Sequence, residues 1–260
     1  MLENQLQSVL HSFQGTCGIA VQNLKTGDQF SHNETAVFPA ASLIKLFILL
    51  ELFRRHDEGQ FDLNTEIALC DQDKVGGFGI LKEMHEGLKL TYRDLAVLMI
   101  VLSDNVATNM LIDILGMSQI NAVIQQQGFS QTCLQRKMMD AEAKSRGLDN
   151  FTSPMDVLHL LHDLESGTFL TLNSRKQFID ILTRQQCNNK LPALLPPDTR
   201  IAHKTGDLPQ VEHDVGIIYI GEDPVVTVVM TKDLSSNSDG ILLNNVVGSK
   251  VYNYFANGRF

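Results

Sequence analysis

A serine followed three positions later by a lysine, Ser42-Leu43-Ile44-Lys45, opens one of the most apolar stretches of the chain. If that stretch is a helix, residues three apart share a face, so a lysine amine stands beside a serine hydroxyl. A neutral lysine can take the hydroxyl proton and turn the serine into a nucleophile. Burial and a second nearby cation both push the amine toward that neutral form. The first turn of a helix also presents free N–H groups and the positive end of its dipole, which favour an alkoxide or an oxyanion. By itself the serine reads equally well as a plain helix cap.

Two tripeptides follow in order, Ser103-Asp104-Asn105 and Lys204-Thr205-Gly206. Each alone is weak, since serine, aspartate and asparagine all favour turns. Finding both after an S-x-x-K has a chance probability on the order of one in a thousand for ordinary composition. Lys204 is placed to be the second cation beside Lys45. Asp104 reads as a cap for local backbone N–H groups, and His203 as a packing residue rather than a base. An earlier Lys-Thr-Gly, Lys25 to Gly27, sits between two strand-like runs and serves a hairpin turn. The glycine-rich run Lys74 to Leu81 lacks the pattern of a phosphate cradle.

The elements that must position these residues can be read from periodicity. Met1 to Gln14 is an amphipathic helix; Gly18 to Asn23 and Gln29 to Ser31 are strands. From Ser42 to about Leu195 the pattern is mostly helical. Leu43 to Phe53 is apolar almost all round and should be buried. Leu90 to Gly116 begins on a cap at Thr91 to Asp94, a helix in it ends near Leu102, and Gly116 is a stop. Ser153-Pro154 starts a further helix that ends near Gly167. Strands return at Arg200 to Lys204, His213 to Ile220 and Val225 to Lys232, and a last helix spans roughly Ser238 to Ala256. Strands that bracket a helical block imply one sheet built from both ends of the chain, an α/β (α+β) architecture with the site in the crevice beside it. The expected division is a single domain over 1–260, with a sheet lobe from about 1–41 and 198–260 and a helical lobe over about 42–197.

Composition sets outer limits. The chain has 260 residues, 43% hydrophobic and 20% charged, and a formal net charge of −9 with no basic stripe. That argues against nucleic acid or an anionic membrane surface as partner. No apolar run reaches membrane-spanning length, and the start does not read as a signal peptide. Cys17, Cys70, Cys133 and Cys187 are widely spread and read as free buried thiols, with no Cys/His cluster for a metal.

The three motifs, their order and their spacing resemble class A serine β-lactamases, within the superfamily of penicillin-recognising serine hydrolases. The resemblance covers nearly the whole chain and implies a five-stranded antiparallel sheet flanked by terminal helices, plus an all-helical lobe. It implies Ser42 as nucleophile, with its proton lost to Lys45 or, through water, to a loop carboxylate, and Ser103 as proton relay to the lactam nitrogen. Asn105, Lys204, Thr205 and Gly206 would bind substrate, and the Asp207 N–H would pair with that of Ser42 as an oxyanion hole. The family usually has a small residue at position 207, so Asp207 puts a negative charge near an anionic substrate. No cofactor or metal is implied. The expected partner is a β-lactam, the expected state a monomer, and the family's usual location periplasmic or secreted, with a cytoplasmic location also open.

The match breaks on one loop. The family places a water-activating glutamate two residues after an arginine, with an asparagine six after it. Here Arg136 is followed by Lys137-Met138-Met139-Asp140-Ala141-Glu142, which puts Met138 at the glutamate and Glu142 at the asparagine. Arg136 and Asp149 could close the loop as a salt bridge. The deacylating base is expected to be Glu142, or Asp140 through a loop shift. Without either, the chain would be a D-alanyl-D-alanine peptidase or esterase of the same superfamily, or a slow-acylating penicillin-binding protein.

Overall fold

Alternation along the strands explains the layering. In β1 (Thr16–Asn23), Cys17, Ile19 and Val21 enter one apolar cluster while Ala20 enters another. In β8 (Val211–Ile220), Val215 and Ile217 go one way and Ile218 and Ile220 the other. Successive side chains of a strand point to opposite faces, so a sheet with apolar residues on both must be covered on both. The computed structural model describes residues 2–258.

The principal sheet has five strands in the order β2-β1-β9-β8-β7, all antiparallel, with β2 at Gln29–His32, β7 at Ile201–Leu208 and β9 at Asp223–Lys232. One face is covered by α1 (Leu2–Leu10) and α9 (Asn237–Asn257), whose Leu2, Leu6, Val247 and Val251 complete the smaller cluster. The other face meets the helical block: α2 (Ile44–Asp57), α3 (Tyr92–Val101), α4 (Asn105–Leu115), α5 (Met117–Gln126), α6 (Ala141–Ser145), α7 (Pro154–Ser166) and α8 (Leu172–Thr183). From Ile44 to Phe53 every residue of α2 is buried, as its apolar run requires.

Several expectations are refined. The capping box at Thr91 and Asp94 is present, and Gly116, at φ 82°, follows the last residue of α4. Between them the helix breaks at Leu102–Asp104, because Ser103 turns to φ 53° and Asp104 caps α4 by accepting from Ala107 N. The block is not all-helical: β4 (Glu66–Ala68) pairs with β5 (Lys89–Thr91), and β6 (Phe151–Thr152) pairs with β3 (Phe38–Pro39). β7 runs on through Lys204–Gly206 to Leu208 rather than closing there. Of the four free cysteines only Cys17 is buried; the others are half-buried, since they lie on loops rather than in the core.

Candidate active site

Ser42 lies in a 3-10 turn, Ala41–Leu43, which runs directly into α2. Ala41 holds φ 47°, a left-handed conformation that costs a residue with a Cβ about 1–3 kcal/mol and tightens the turn. Strand β7 passes close behind it. A Cβ on Gly206 would meet Ala41 Cβ and Leu43 Cγ at 3.3 Å, so glycine lets the strand and the serine turn approach. Gly206 therefore lets β7 lie against the turn that carries Ser42.

Lys45 is fully buried one turn into α2. Its Nζ lies 2.7 Å from Ser103 O, 3.0 Å from Ser103 Oγ and 3.0 Å from Asn105 Oδ1. Lys204, also fully buried, donates to Ser103 Oγ at 3.1 Å and to Thr205 O at 2.9 Å. Burial and the Lys204 charge push the Lys45 amine well below the ordinary lysine range. The positive end of the α2 dipole acts in the same direction. Burial lowers Lys204 to about 8. Both lysines donate to the Ser103 hydroxyl oxygen, Lys45 from α2 and Lys204 from β7, and Ser103 Oγ bridges the two amines in a line Lys204–Ser103–Lys45.

The neighbouring residues hold that line in place. Asp104 is buried and accepts from Ile80 N at 2.6 Å, Leu81 N at 2.9 Å and Ala107 N at 2.9 Å, which ties the glycine-rich loop to the α3–α4 break. Asn105 Nδ2 donates to Gly76 O at 3.1 Å. Gly77 has φ 79°, and a Cβ there would lie 2.5 Å from Asn105 Nδ2, so the loop needs glycine at this point. The Thr205 hydroxyl is buried without a hydrogen-bond partner among the described residues, a donor available to an incoming anion.

Above these groups opens a cavity of about 380 Å³, lined by Ser42, Asn105, Asp207, Gly77, Phe78, Met138, Met139 and Asp140, among others. Asp207 shares this wall, but its carboxylate is held by buried Lys190 at 2.7 Å. His203 is buried, bonded to Asp214 Oδ1 at 2.9 Å and to Asn188 Oδ1 at 3.0 Å. Arg136 and Asp149 do close the loop, at 2.7 Å.

Glu142 is not brought to the site. Its side chain is 82% exposed, paired with Arg146 at 3.1 Å across one turn of α6, and absent from the cavity wall. The reason is local: Asp140 caps α6 by accepting from Ala143 N at 2.8 Å, and the second residue of that short helix then points to solvent. Asp140 does line the cavity, with one carboxylate oxygen committed to the cap. Met138 lines it too, fixed by Asn109, which accepts from Met138 N at 2.8 Å and donates to Met138 O at 3.1 Å. Sequence reasoning missed Lys190 altogether. No motif marks it, and its partners Asp207 and Glu212 become neighbours only when β7 and β8 pair.

A sheet covered on both faces, with a serine turn and two buried lysines at the crevice, defines a penicillin-recognising serine hydrolase fold. The chain belongs to the β-lactamase enzyme family, whose model matches residues 1–255. It is similar to the extended-spectrum β-lactamase PER-1 of Pseudomonas aeruginosa, 25% identical over 92% of this chain and 82% of that one. Among solved structures it resembles a β-lactamase from Sphaerobacter thermophilus, with TM-score 0.88, 30% identity, and 96% of this chain and 95% of that one covered. It also resembles PBP-A, with TM-score 0.90, 32% identity, and 98% and 96% covered; a variant of PBP-A has been solved as an acyl-enzyme complex with penicillin G.

Proposed function

We propose that this protein is a serine hydrolase of β-lactams that forms an acyl-enzyme on Ser42 and releases it slowly. The observation that carries the reading is the line Lys204–Ser103–Lys45 beneath the Ser42 turn. Ser42 Oγ bonds to the lactam carbonyl carbon as its proton passes to the neutral Lys45 amine. The carbonyl oxygen takes the negative charge, facing the N–H groups of Ser42 and Asp207. The carbon–nitrogen bond then breaks. The ring nitrogen receives the Ser103 hydroxyl proton, and the Lys45 ammonium restores it. Lys204 and Thr205 receive the substrate carboxylate, and Asn105 its side-chain carbonyl.

Slow release follows from the loop. Water needs a base to attack the ester, and the loop offers the cavity Met138 and a half-committed Asp140 while Glu142 points away. The same feature favours a second reading, a penicillin-binding peptidase that cleaves acyl-D-alanyl-D-alanine. The similarity to PBP-A supports it. Intact-mass measurement after benzylpenicillin, beside turnover of a chromogenic cephalosporin, tests both. The expected result is a stoichiometric adduct lost over minutes and absent in Ser42→Ala. An adduct of equal yield on Ser42→Ala overturns the nucleophile. Release of D-alanine from a peptide, with negligible cephalosporin turnover, establishes the second reading in place of the first.

A further inference from the structure

Lys190 has no exposed surface, yet it carries a charge directly behind the proposed oxyanion hole. Its Nζ lies 2.7 Å from Asp207 Oδ1 and 2.5 Å from Glu212 Oε2, and donates to His213 O at 3.1 Å and, at longer range, to Gly206 O at 3.4 Å. Burial works against this charge, but the two carboxylates outweigh it and keep the ammonium protonated. Glu212 is itself fixed, accepting from Asn237 Nδ2 at 2.7 Å. The arrangement joins the paired ends of β7 and β8, where Gly206 stands opposite His213 and Asp207 opposite Glu212.

The Gly206 carbonyl and the Asp207 N–H belong to one planar peptide and point in opposite directions across it. A cation on the carbonyl side draws electron density toward the oxygen and makes the N–H on the far side a stronger donor, as in any polarised hydrogen-bond chain. The same cation pairs with the carboxylate of Asp207, a residue of the cavity wall, and offsets a charge that would repel a developing oxyanion. Lys190 therefore acts on the charge formed at the reacting carbonyl without touching substrate.

We propose that Lys190 is a positioning residue for the oxyanion peptide, aiming and polarising the Asp207 N–H while it offsets the charge of the Asp207 carboxylate. The inference rests on Ser42 as the acylated residue. The test uses benzylpenicillin carrying a ¹³C label at its lactam carbonyl. The acylation rate constant and the encounter affinity are measured separately, and the ester carbonyl band of the acyl-enzyme is recorded by infrared difference spectroscopy. Loss of a whole oxyanion donor costs roughly 10²–10³-fold in rate. Lys190→Met, which weakens one, is expected to slow acylation by about 10- to 100-fold with little change in encounter affinity, and to move the ester band to higher wavenumber. Lys190→Arg, which keeps the charge, should restore most of both. Asp207→Asn keeps the backbone donor and removes the competing charge, so acylation should quicken and the band move to lower wavenumber. That sign reversal serves if Lys190→Met does not fold. A parent that takes no label overturns the reading of the site and this inference with it. A parent that labels normally, while Asp207→Asn and any folded Lys190→Met keep its band and rate, overturns the role of Lys190 alone.

Discussion

In the proposed mechanism Lys204 has two tasks that depend on its charge: it receives the substrate carboxylate and it disfavours the ammonium form of Lys45. Because burial brings it to about 8, the charge is present below that pH and lost above it. Acylation by carboxylate-bearing lactams should therefore fall as pH rises through about 8. Protonation of Lys45, whose amine burial pushes well below the ordinary lysine range, opposes acylation as pH falls. Lys204→Arg keeps its charge throughout, and its upper limb should move out of the measurable range. The pH profile of kcat/KM for parent and variant checks this; an unchanged limb near 8 would assign it to another group. Lys204→Ala should lower kcat/KM about 10- to 100-fold, the worth of a charge-assisted contact of roughly 1.5–3 kcal/mol.

At the scale of the element, the short helix α6 decides where Glu142 points. Its cap by Asp140 turns Glu142 to solvent, so Glu142→Gln should leave adduct lifetime unchanged. Met138→Glu places a carboxylate at the cavity wall and should shorten the lifetime by about 10²–10⁴-fold, the usual contribution of a general base. The cost is about 1–3 kcal/mol of stability for burying the charge, measurable by denaturant unfolding. Intact-mass time courses of both variants decide the matter, and a long-lived adduct on Met138→Glu would sink it. The same loop shows what was legible in the sequence. Motifs, strands and the buried run of α2 could be read because each is a local pattern. Arg136 and Asp149 paired as their positions implied. Counting residues from Arg136 pointed to Glu142, but a count does not contain the rotation of a capped helix. Lys190 left no local trace because its partners belong to two other strands. The α3–α4 break was half visible: the end near Leu102 was legible, the turn of Ser103 to φ 53° was not.

Across the whole molecule, His213 joins three strands while neutral. Its Nδ1 accepts from Thr231 N at 3.1 Å and its Nε2 donates to Pro39 O at 2.8 Å, which fixes the tautomer and leaves no site for a second proton. Burial lowers it from 6.5 to about 4. Between those values the unfolded chain binds a proton that the folded one refuses, so stability falls as pH drops through that window, by up to roughly 3 kcal/mol. Unfolding free energies at pH 7 and near pH 4 should show the parent losing about that much more than His213→Gln; equal losses would remove His213 from the acid response. The strand order β2-β1-β9-β8-β7 bears also on how the chain is made. Its central strand, Asp223–Lys232, is the last of the five to be synthesised, and pairing it sets Thr16 beside Asp233, 217 positions away. Until it emerges from the ribosome, β1 and β8 each lack a partner on one side and the β7–β8 pair that carries Lys204 is not joined to β1. The nascent chain must carry the unpaired, apolar edge of β1 through most of its synthesis, which makes it a natural client for chaperones that shield such edges.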